Sequence, residues 1–315
     1  MTDTVYDVLI IGGGPAGLAA AIYAARGKLS AIVLDRAPTA GSLAYASKIA
    51  NYPGIDCVMT GAELLDTMRG QAIDFGAVYE KAAVMGLDLA SENKVAYAAD
   101  ATYTGRSVVI ATGSRGRQDK IEGEEEFLGR GVHYCATCDA AFYADRVVGV
   151  VGWDEVALEE ALFLTRFARH VHIISPKSAL HGPVGVLEEI AACPGITVHT
   201  ALKAVSVVGD SSVTGLTVRT RESEEQLIAL DGVFMLLTGS APITDFLAGQ
   251  LKLSPEGCIE VDCNCATSVP GVYAVGDVTC AHPNQAIIAA AEGVIAALAI
   301  DRYLGGRDRS RVDYS

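Results

Sequence analysis

Val5 to Ile11 is a largely apolar run. It is followed by Gly12-Gly13-Gly14-Pro15, an Ala-rich stretch from Pro15 to Arg26, and a second apolar run from Ser30 to Leu34 that ends at Asp35. Short β-branched runs bounded by glycines read as buried strands and the Ala-rich stretch as a helix, so the order is strand, helix, strand. The same order returns midway, with a strand at Val147–Val151, a helix from Glu155 to Arg169 and a strand at Val171–Ile174. Between the two units, Ser107 to Ala111 is another β-branched run leading into Thr112-Gly113-Ser114, and Leu236-Leu237-Thr238-Gly239-Ser240 echoes it later. Gly271-Val272-Tyr273-Ala274-Val275-Gly276-Asp277 reads as a strand with a glycine-aspartate end, before an Ala-rich helix from Asn284 to about Tyr303 that returns to the first domain. The prediction is an α/β protein built from two dinucleotide-binding, Rossmann-like, three-layer domains.

Composition fits that picture. The 315 residues exceed what one core usually organises, half of them are apolar, and 20% are charged, which excludes disorder. Twenty-four basic against 38 acidic residues leave a net charge of −14, a field that repels nucleic acid and anionic lipid. Val8 to Ala25 is uncharged and long enough to suggest a membrane span, but Gly12-Gly13-Gly14-Pro15 breaks it, and no signal peptide is visible. The expectation is a cytoplasmic protein without membrane insertion. Eight cysteines are too few for a secreted disulfide scaffold, so paired cysteines point to redox chemistry or metal binding.

Gly12-x-Gly14-x-x-Gly17 lies between a strand and a helix, where the glycines permit a tight turn, close approach of a pyrophosphate and close packing of helix on strand. Asp35 stands where an acidic residue meets a ribose hydroxyl. The first unit is therefore expected to bind a dinucleotide. In the second unit the loop reads Gly152-Trp153-Asp154-Glu155-Val156-Ala157, so the middle glycine has become an aspartate. At about 4 Å and an effective dielectric near 20, repulsion between unit charges is on the order of 4 kcal/mol, nearly a thousandfold in affinity. After the next strand, Ser175-Pro176-Lys177 offers a single cation for a 2′-phosphate. NADPH is expected to bind poorly here. The alternative is that Asp154 turns outward and the altered loop still accepts a nucleotide.

Cys135-Ala136-Thr137-Cys138, followed by Asp139, has the spacing of a redox disulfide whose reduced thiolate attacks another disulfide by exchange. Half of a zinc site is the competing reading, but no second Cys or His pair stands at ligand spacing, so no metal is expected. His133 is read as a solvated loop histidine that could tune the pair. Cys263 and Cys265 read as ordinary thiols in a loop, and Cys57, Cys193, Cys258 and Cys280 have no partner that sequence identifies.

With these residues assembled, the chain resembles the low-molecular-weight thioredoxin reductases over nearly its whole length. The resemblance rests on Gly12-Gly13-Gly14-Pro15-Ala16-Gly17, Asn51-Tyr52-Pro53-Gly54, Ala111-Thr112-Gly113, Gly131 through Asp139, and Gly276-Asp277 with Gln285-Ala286. It implies an FAD domain over residues 1–117 and 245–315, with a pyridine-nucleotide-type domain carrying the disulfide over 118–244. It implies a homodimer as well. Cys138 would exchange electrons with the flavin, Cys135 would attack a thioredoxin-like or other dithiol/disulfide partner protein, and Asp139 would carry the proton. Asp277 would hold the FAD ribityl chain, Asn51 would lie near the ring system, and Arg36, Ser42 and Leu43 would join the cofactor contacts.

The departures from the family pattern fall where NADPH would sit: Asp154, Ser175-Pro176-Lys177 and His181. The chain therefore looks like the pyridine-nucleotide-independent branch, whose members exchange electrons with ferredoxin or with a second bound flavin. An acidic ferredoxin is a poor electrostatic match for this acidic chain. Trp153 could instead stack on a flavin ring, making Gly152, Trp153 and Asp154 a candidate site for a second FAD. Ala40-Gly41-Ser42-Leu43 also departs from the usual Gly-Gly-Gln-Leu, and the tail carries Arg307, Arg309, Arg311 and Tyr314, a candidate flavin cover. Two rivals stand beside this reading: a conventional NADPH-dependent thioredoxin reductase, and a flavin-binding redox sensor.

Overall fold

In a computed structural model, residues 4–37, 41–46, 48–115, 120–237 and 241–306 are described. The chain divides into two compact units, residues 1–116 with 240–315, and residues 117–239. Thr238-Gly239-Ser240, Ala40 and the tail with its arginines and Tyr314 lie outside the described residues.

The first unit begins with β1 (Val5–Ile11), α1 (Pro15–Arg26) and β2 (Ala31–Asp35), continues with α2 (Gly61–Asp74), β3 (Val78–Lys81), β4 (Val84–Asp88), β5 (Lys94–Ala98) and β6 (Thr102–Ile110), and reaches β7 (Ser114–Arg115). The second unit contains β8 (Val132–His133), α3 (Ala136–Asp139), β9 (Val147–Val151), α4 (Glu155–Leu164), β10 (His170–Ile174), α5 (Val184–Ala192) and β11 (Ile196–His199). It ends with the strands β12 (Lys203–Gly209), β13 (Val213–Arg219), β14 (Glu225–Ala229) and β15 (Gly232–Met235). The chain then returns to the first unit as β16 (Ala241–Pro242), β17 (Val272–Ala274) and α6 (Ala286–Leu304). Pairing of β16 with β7 ties residues 241–242 to the first unit.

In the first unit the strand order is β3-β2-β1-β6-β5-β4. β1, β2, β3 and β6 are parallel, and the β4–β5 hairpin pairs antiparallel with the first half of β6. The second half of β6 pairs in parallel with β17, which aligns Ala274 with Ile110, just as Ile11 aligns with Ile110 on the other side. Leu9, Ile10, Val108, Val109 and Ile110 are all buried, as expected of parallel strands covered on both faces. α1 and α6 cross in close contact because small residues meet there. A Cβ on Gly293 would lie 2.1 Å from the Ala16 carbonyl oxygen, so only glycine permits this approach.

The second unit has a parallel sheet in the order β11-β10-β9-β15-β8 and a separate antiparallel sheet β12-β13-β14. Its cores centre on Phe234 with Leu158 and Leu164 on one side, and on Val151, Ile174 and Leu216 on the other. The expected α/β class and both strand-helix-strand units are present. α4 is shorter than predicted, ending at Leu164 rather than Arg169. There the Thr165 hydroxyl bonds the Leu162 carbonyl at 2.6 Å, and Arg166 and Phe167 turn back on Phe163 and Leu164. α6 starts at Ala286 rather than Asn284 because Gln285 is extended.

At the edge of the parallel sheet, His172 Nδ1 lies 2.9 Å from His199 Nε2. Burial, then His199 and His170, holds His172 down to about 4, and burial with His170 also lowers His199. A depressed base is charged more readily unfolded than folded, so its contribution to stability is lost as pH falls from about 6.5 towards about 4. Urea midpoints measured at pH 7 and pH 5 should show a larger acid loss for the parent chain than for His172→Gln; equal losses would remove the histidine pair as the cause.

Candidate active site

The carboxyl ends of β1, β6 and β17 deliver three loops to one edge of the first unit's sheet. The Ala111 N–H donates to the Ile11 carbonyl at 2.8 Å and the Val275 N–H to the Ile110 carbonyl at 2.9 Å, so the loops emerge side by side. A crevice at the strand carboxyl ends is the usual ligand position in open α/β sheets. The glycines divide the work within it. Gly12 has a φ of 111° and a Cβ there would lie 2.4 Å from the Ala111 carbonyl oxygen, while one on Gly17 would lie 2.0 Å from the Gly12 carbonyl oxygen. Gly14 faces open space, with nothing within 4 Å of an added Cβ.

α1 opens at Pro15 with Gly14 as its N-cap, no side-chain cap and no acidic residue in its first turn. Its first-turn N–H groups are thus left for an anion. Ala16 lies beneath Gly276, 3.3 Å from the position of an added Cβ, which brings the Gly12–Gly17 loop to the Gly276–Asp277 loop. Asp35 ends β2, buried, and receives a hydrogen bond from the Tyr79 hydroxyl. Burial and Asp35 push the Tyr79 phenol well up. Burial also raises the Asp277 carboxyl. Asn51 Nδ2 donates to Gln285 Oε1 at 3.3 Å, joining two further candidate positions at the start of α6, where Ala286 is the first helical residue. Thr112 Oγ1 donates to the Ile243 carbonyl at 2.8 Å, and Gly113 turns with a φ of 65°.

These features, an open glycine, an uncapped helix and carboxylates placed for hydroxyls, fit a dinucleotide such as FAD. Arg36 is exposed just past β2; Ser42 is exposed and Leu43 half-buried on the short turn Ser42–Tyr45, where Leu43 packs in a cluster with Leu18, Leu64 and Ala290.

The matching loop of the second unit is filled by its own side chain. Asp154 is the N-cap of α4, and its carboxylate accepts from the Ala157 N–H at 3.1 Å, with Glu155 in the first turn. The carboxylate is directed onto the helix N-terminus, not outward. Gly152 is tightly enclosed, since a Cβ would lie 2.5 Å from the Ala157 Cβ. The Trp153 ring carries the Lys177 ammonium 5.1 Å from its centroid, and its carbonyl accepts from the His181 N–H at 2.7 Å. Lys177, the one candidate phosphate cation after β10, is thus placed against the indole.

Cys135 and Cys138 form a disulfide across a single turn, with Cα atoms 5.4 Å apart. Cys135 is the N-cap of α3, its sulfur accepting from the Cys138 N–H at 3.2 Å. Glu160 Oε2 accepts from the Ala136 N–H at 2.6 Å; burial and then the opposing Ala136 bond and Asp139 charge leave the Glu160 carboxyl raised.

His133 departs from its expected solvated state. Its side chain is only 9% exposed, because β8 pairs with β15 and lays the ring on Phe234, centroids 5.3 Å apart. Its Nδ1 is 2.9 Å from Asp139 Oδ2 and its Nε2 is 2.6 Å from the Tyr143 hydroxyl. An ionised carboxylate only accepts, so in the neutral ring Nδ1 carries the proton and Nε2 accepts from Tyr143. Burial, then Asp139 and Asp231, pushes the Tyr143 phenol well up. The chain Asp139, His133, Tyr143 can hold and relay one proton beside the disulfide.

Sequence reasoning missed Tyr143, Glu160 and Glu292. Glu292 is buried in α6, and its carboxylate accepts from the Gly276 N–H. The signal for Glu292 was an acid in the apolar first half of a helix whose other charges, Asp301 and Arg302, fall at its end. Cys258 and Cys280, without assigned partners in the sequence, form a second disulfide.

The glycine crevice and the Cys-x-x-Cys turn define a class: the chain belongs to the pyridine nucleotide-disulphide oxidoreductases, whose family model matches residues 6–293. Within that class it is similar to thioredoxin reductases. The thioredoxin reductase of Aquifex aeolicus (strain VF5) is 44% identical over 309 residues, spanning 98% of this chain and 96% of that protein. The crystal structure of thioredoxin reductase from Streptococcus pyogenes MGAS5005 matches 97% of this chain and 100% of its own, at 32% identity and a TM-score of 0.91. A thioredoxin reductase structure from Gloeobacter violaceus is 47% identical, spanning 98% and 97%, with a TM-score of 0.59.

His133→Phe retains the stack on Phe234 and removes both ring nitrogens. Exchange between the Cys135–Cys138 dithiol and a small disulfide should slow about tenfold or more at neutral pH, since positioned proton carriers contribute roughly 10²–10⁴-fold. The pH profile of Cys135 alkylation should move with it, and His133→Gln should recover part of the rate. An unchanged rate and profile would reduce His133 to packing.

Proposed function

We propose that the chain is an FAD-dependent disulfide oxidoreductase of the thioredoxin reductase type, passing electrons between flavin and the Cys135–Cys138 pair and on to a thioredoxin-like dithiol protein. The observation that carries this reading is the Cys135–Cys138 disulfide with Asp139 held by His133. In the reduced pair, the Cys135 thiolate attacks the partner protein's disulfide, and Cys138 displaces the mixed disulfide to regenerate the bridge. Asp139, held by His133, takes and returns the proton. FAD, when bound, supplies the two-electron carrier. Gly12, Gly14, Pro15, Ala16, Gly17 and Asp35 would hold its diphosphate and ribose. Gly276 and Asp277 would receive the ribityl chain, and Asn51 with Gln285 would border the ring. A homodimer is the assembly this reading carries.

The donor is the finer part of the proposal. The Asp154 carboxylate already satisfies an N–H of α4, so a nicotinamide diphosphate must displace a bonded carboxylate and meet its charge. A donor without a diphosphate, such as ferredoxin, accords with this geometry; a second FAD beside Gly152, Trp153 and Asp154 would meet the same carboxylate with its own diphosphate and would have to displace Lys177 from the indole to stack there. The conventional NADPH-dependent reading is favoured by a different observation, the family itself and the thioredoxin reductases it resembles.

Anaerobic stopped-flow mixing with micromolar NADPH should leave the flavin oxidised, and Asp154→Gly should increase its reduction; rapid bleaching of the parent protein decides for the conventional enzyme. Flavin released by denaturation gives the second site: two per chain supports a second FAD, and one removes it. Slow stoichiometric oxidation without turnover would instead indicate a redox sensor.

Gly14→Val adds bulk only on the open side of the loop. It should retain the fold and thermal stability of the apoprotein while losing most of its bound flavin; full flavin occupancy would move the diphosphate away from α1.

A further inference from the structure

Cys258 and Cys280 are joined 22 residues apart, with Cα atoms separated by 5.8 Å. Cys258 is buried and Cys280 is exposed. The backbone around this bridge is already fastened without it. The Ile259 N–H donates to the Val278 carbonyl at 3.0 Å, the Ser254 N–H to the Cys258 carbonyl at 2.8 Å, and the Thr279 N–H to the Gly276 carbonyl at 3.0 Å. Opening the bridge therefore leaves the Ser254–Ile259 turn paired to Val278 and frees only the Cys280 end of the segment that carries Gly276 and Asp277. A cavity of about 640 Å³, lined by Ser254, Glu256, Cys258, Glu260, Thr279 and Cys280 among others, opens at the bridge, on which Cys280 is the exposed member. Cys280 also has a φ of 53°, a left-handed conformation that costs a side-chain-bearing residue free energy, and it lies three residues beyond Asp277. Cys280 is thereby the position through which opening of the bridge would reach the Gly276–Asp277 loop.

We infer that Cys258–Cys280 is a second thiol-responsive disulfide, opened by a reduced dithiol protein, and that its opening loosens the hold of the Gly276–Asp277 loop on the flavin. The flavin half rests on the function proposed above; the disulfide half does not. A thiolate of the dithiol protein attacks Cys280 Sγ, forming a mixed disulfide as the bond to Cys258 breaks, and the departing Cys258 thiolate takes a proton. The second thiol of the dithiol protein loses its proton and attacks the mixed disulfide, Cys280 leaves and is protonated, and the dithiol protein departs as a disulfide. Two electrons and two protons have moved to the Cys258–Cys280 pair.

A monothiol lacks the second step, so Cys258, held beside the mixed disulfide, expels it and restores the bridge. The carboxylates of Glu256 and Glu260 at the cavity further disfavour an anionic monothiol such as glutathione, although Lys252 pairs with Glu260.

The test uses air-oxidised holoprotein treated with reduced thioredoxin or with glutathione at equal thiol concentration, then acid quench, alkylation and peptide mass spectrometry. Cys258 and Cys280 should acquire label together, much faster with thioredoxin. Flavin should dissociate several-fold faster once they open, and the variant carrying Cys258→Ser and Cys280→Ser should show the faster release without reductant. The inference is overturned if the pair stays closed while Cys135 and Cys138 are fully labelled, if both are free thiols in air-oxidised protein, or if flavin release from the opened parent protein is unchanged. Labelling of Cys258 and Cys280 in a Cys135→Ser, Cys138→Ser background reads their opening without the main exchange reaction. Failure of that reaction in the parent protein, with the second pair still opening, would strike the proposed function and leave the second disulfide standing.

Discussion

A helix N-terminus presents a few N–H groups that need an acceptor, and what supplies that acceptor divides this chain's two units. α1 begins at Gly14 and Pro15 with no side-chain cap, so its acceptor must come from outside the chain. α4 begins at Asp154, and the acceptor is its own carboxylate. An internal cap is present at high effective concentration and contributes about 1 kcal/mol of helix stability, which a ligand must give back before it binds. The same strand-turn-helix therefore leaves its N–H groups open in one unit and caps them with its own carboxylate in the other.

The redox turn shows burial acting in the opposite direction. The Cys135–Cys138 turn contains few residues of its own to position a proton, so the surrounding elements provide them. β8 brings His133 onto Phe234, the turn after α3 brings Tyr143, and α4 brings Glu160 to the Ala136 N–H. Packing fixes the imidazole, and the fixed imidazole leaves Asp139 with a defined donor. The hydrophobic contact and the Asp139–His133–Tyr143 hydrogen-bond chain are one arrangement. Removing only the ring nitrogens therefore separates their effects.

Much of this architecture was legible in the chain. β1, α1 and β9 have the predicted bounds because their apolar runs are cut sharply by glycine and proline, and the Gly12, Gly14 and Gly17 spacing marks the crevice. Partners far apart in sequence were not legible. His133 looks solvated when its neighbours Val132 and Tyr134 are all that is known, and only pairing of β8 with β15 buries it. Cys258 and Cys280 carry no spacing signal, since the loop between them contains β17 and its return. Asp154 was readable as a charge where glycine belongs; its cap to Ala157 required the helix. The end of α4 was missed because Thr165 bonds back to its own turn, a local competition that apolar periodicity does not register.

Burial sorts the remaining cysteines by the same electrostatics. Cys265 is buried beside α6, where burial and then the Glu292 carboxylate push its thiol up to about 12, so it remains protonated and unreactive. Glu292 itself is committed from α6 to the Gly276 N–H, and Asp277, next to Gly276, is half-buried with its carboxyl raised by burial. Two acids this close, one in α6 and one in the loop it faces, cannot both remain ionised cheaply unless donors reach them. The backbone supplies a donor for Glu292. Among the described residues no backbone N–H donates to the Asp277 carboxyl, so a neutral ligand carrying hydroxyl donors suits this loop better than a second anionic group.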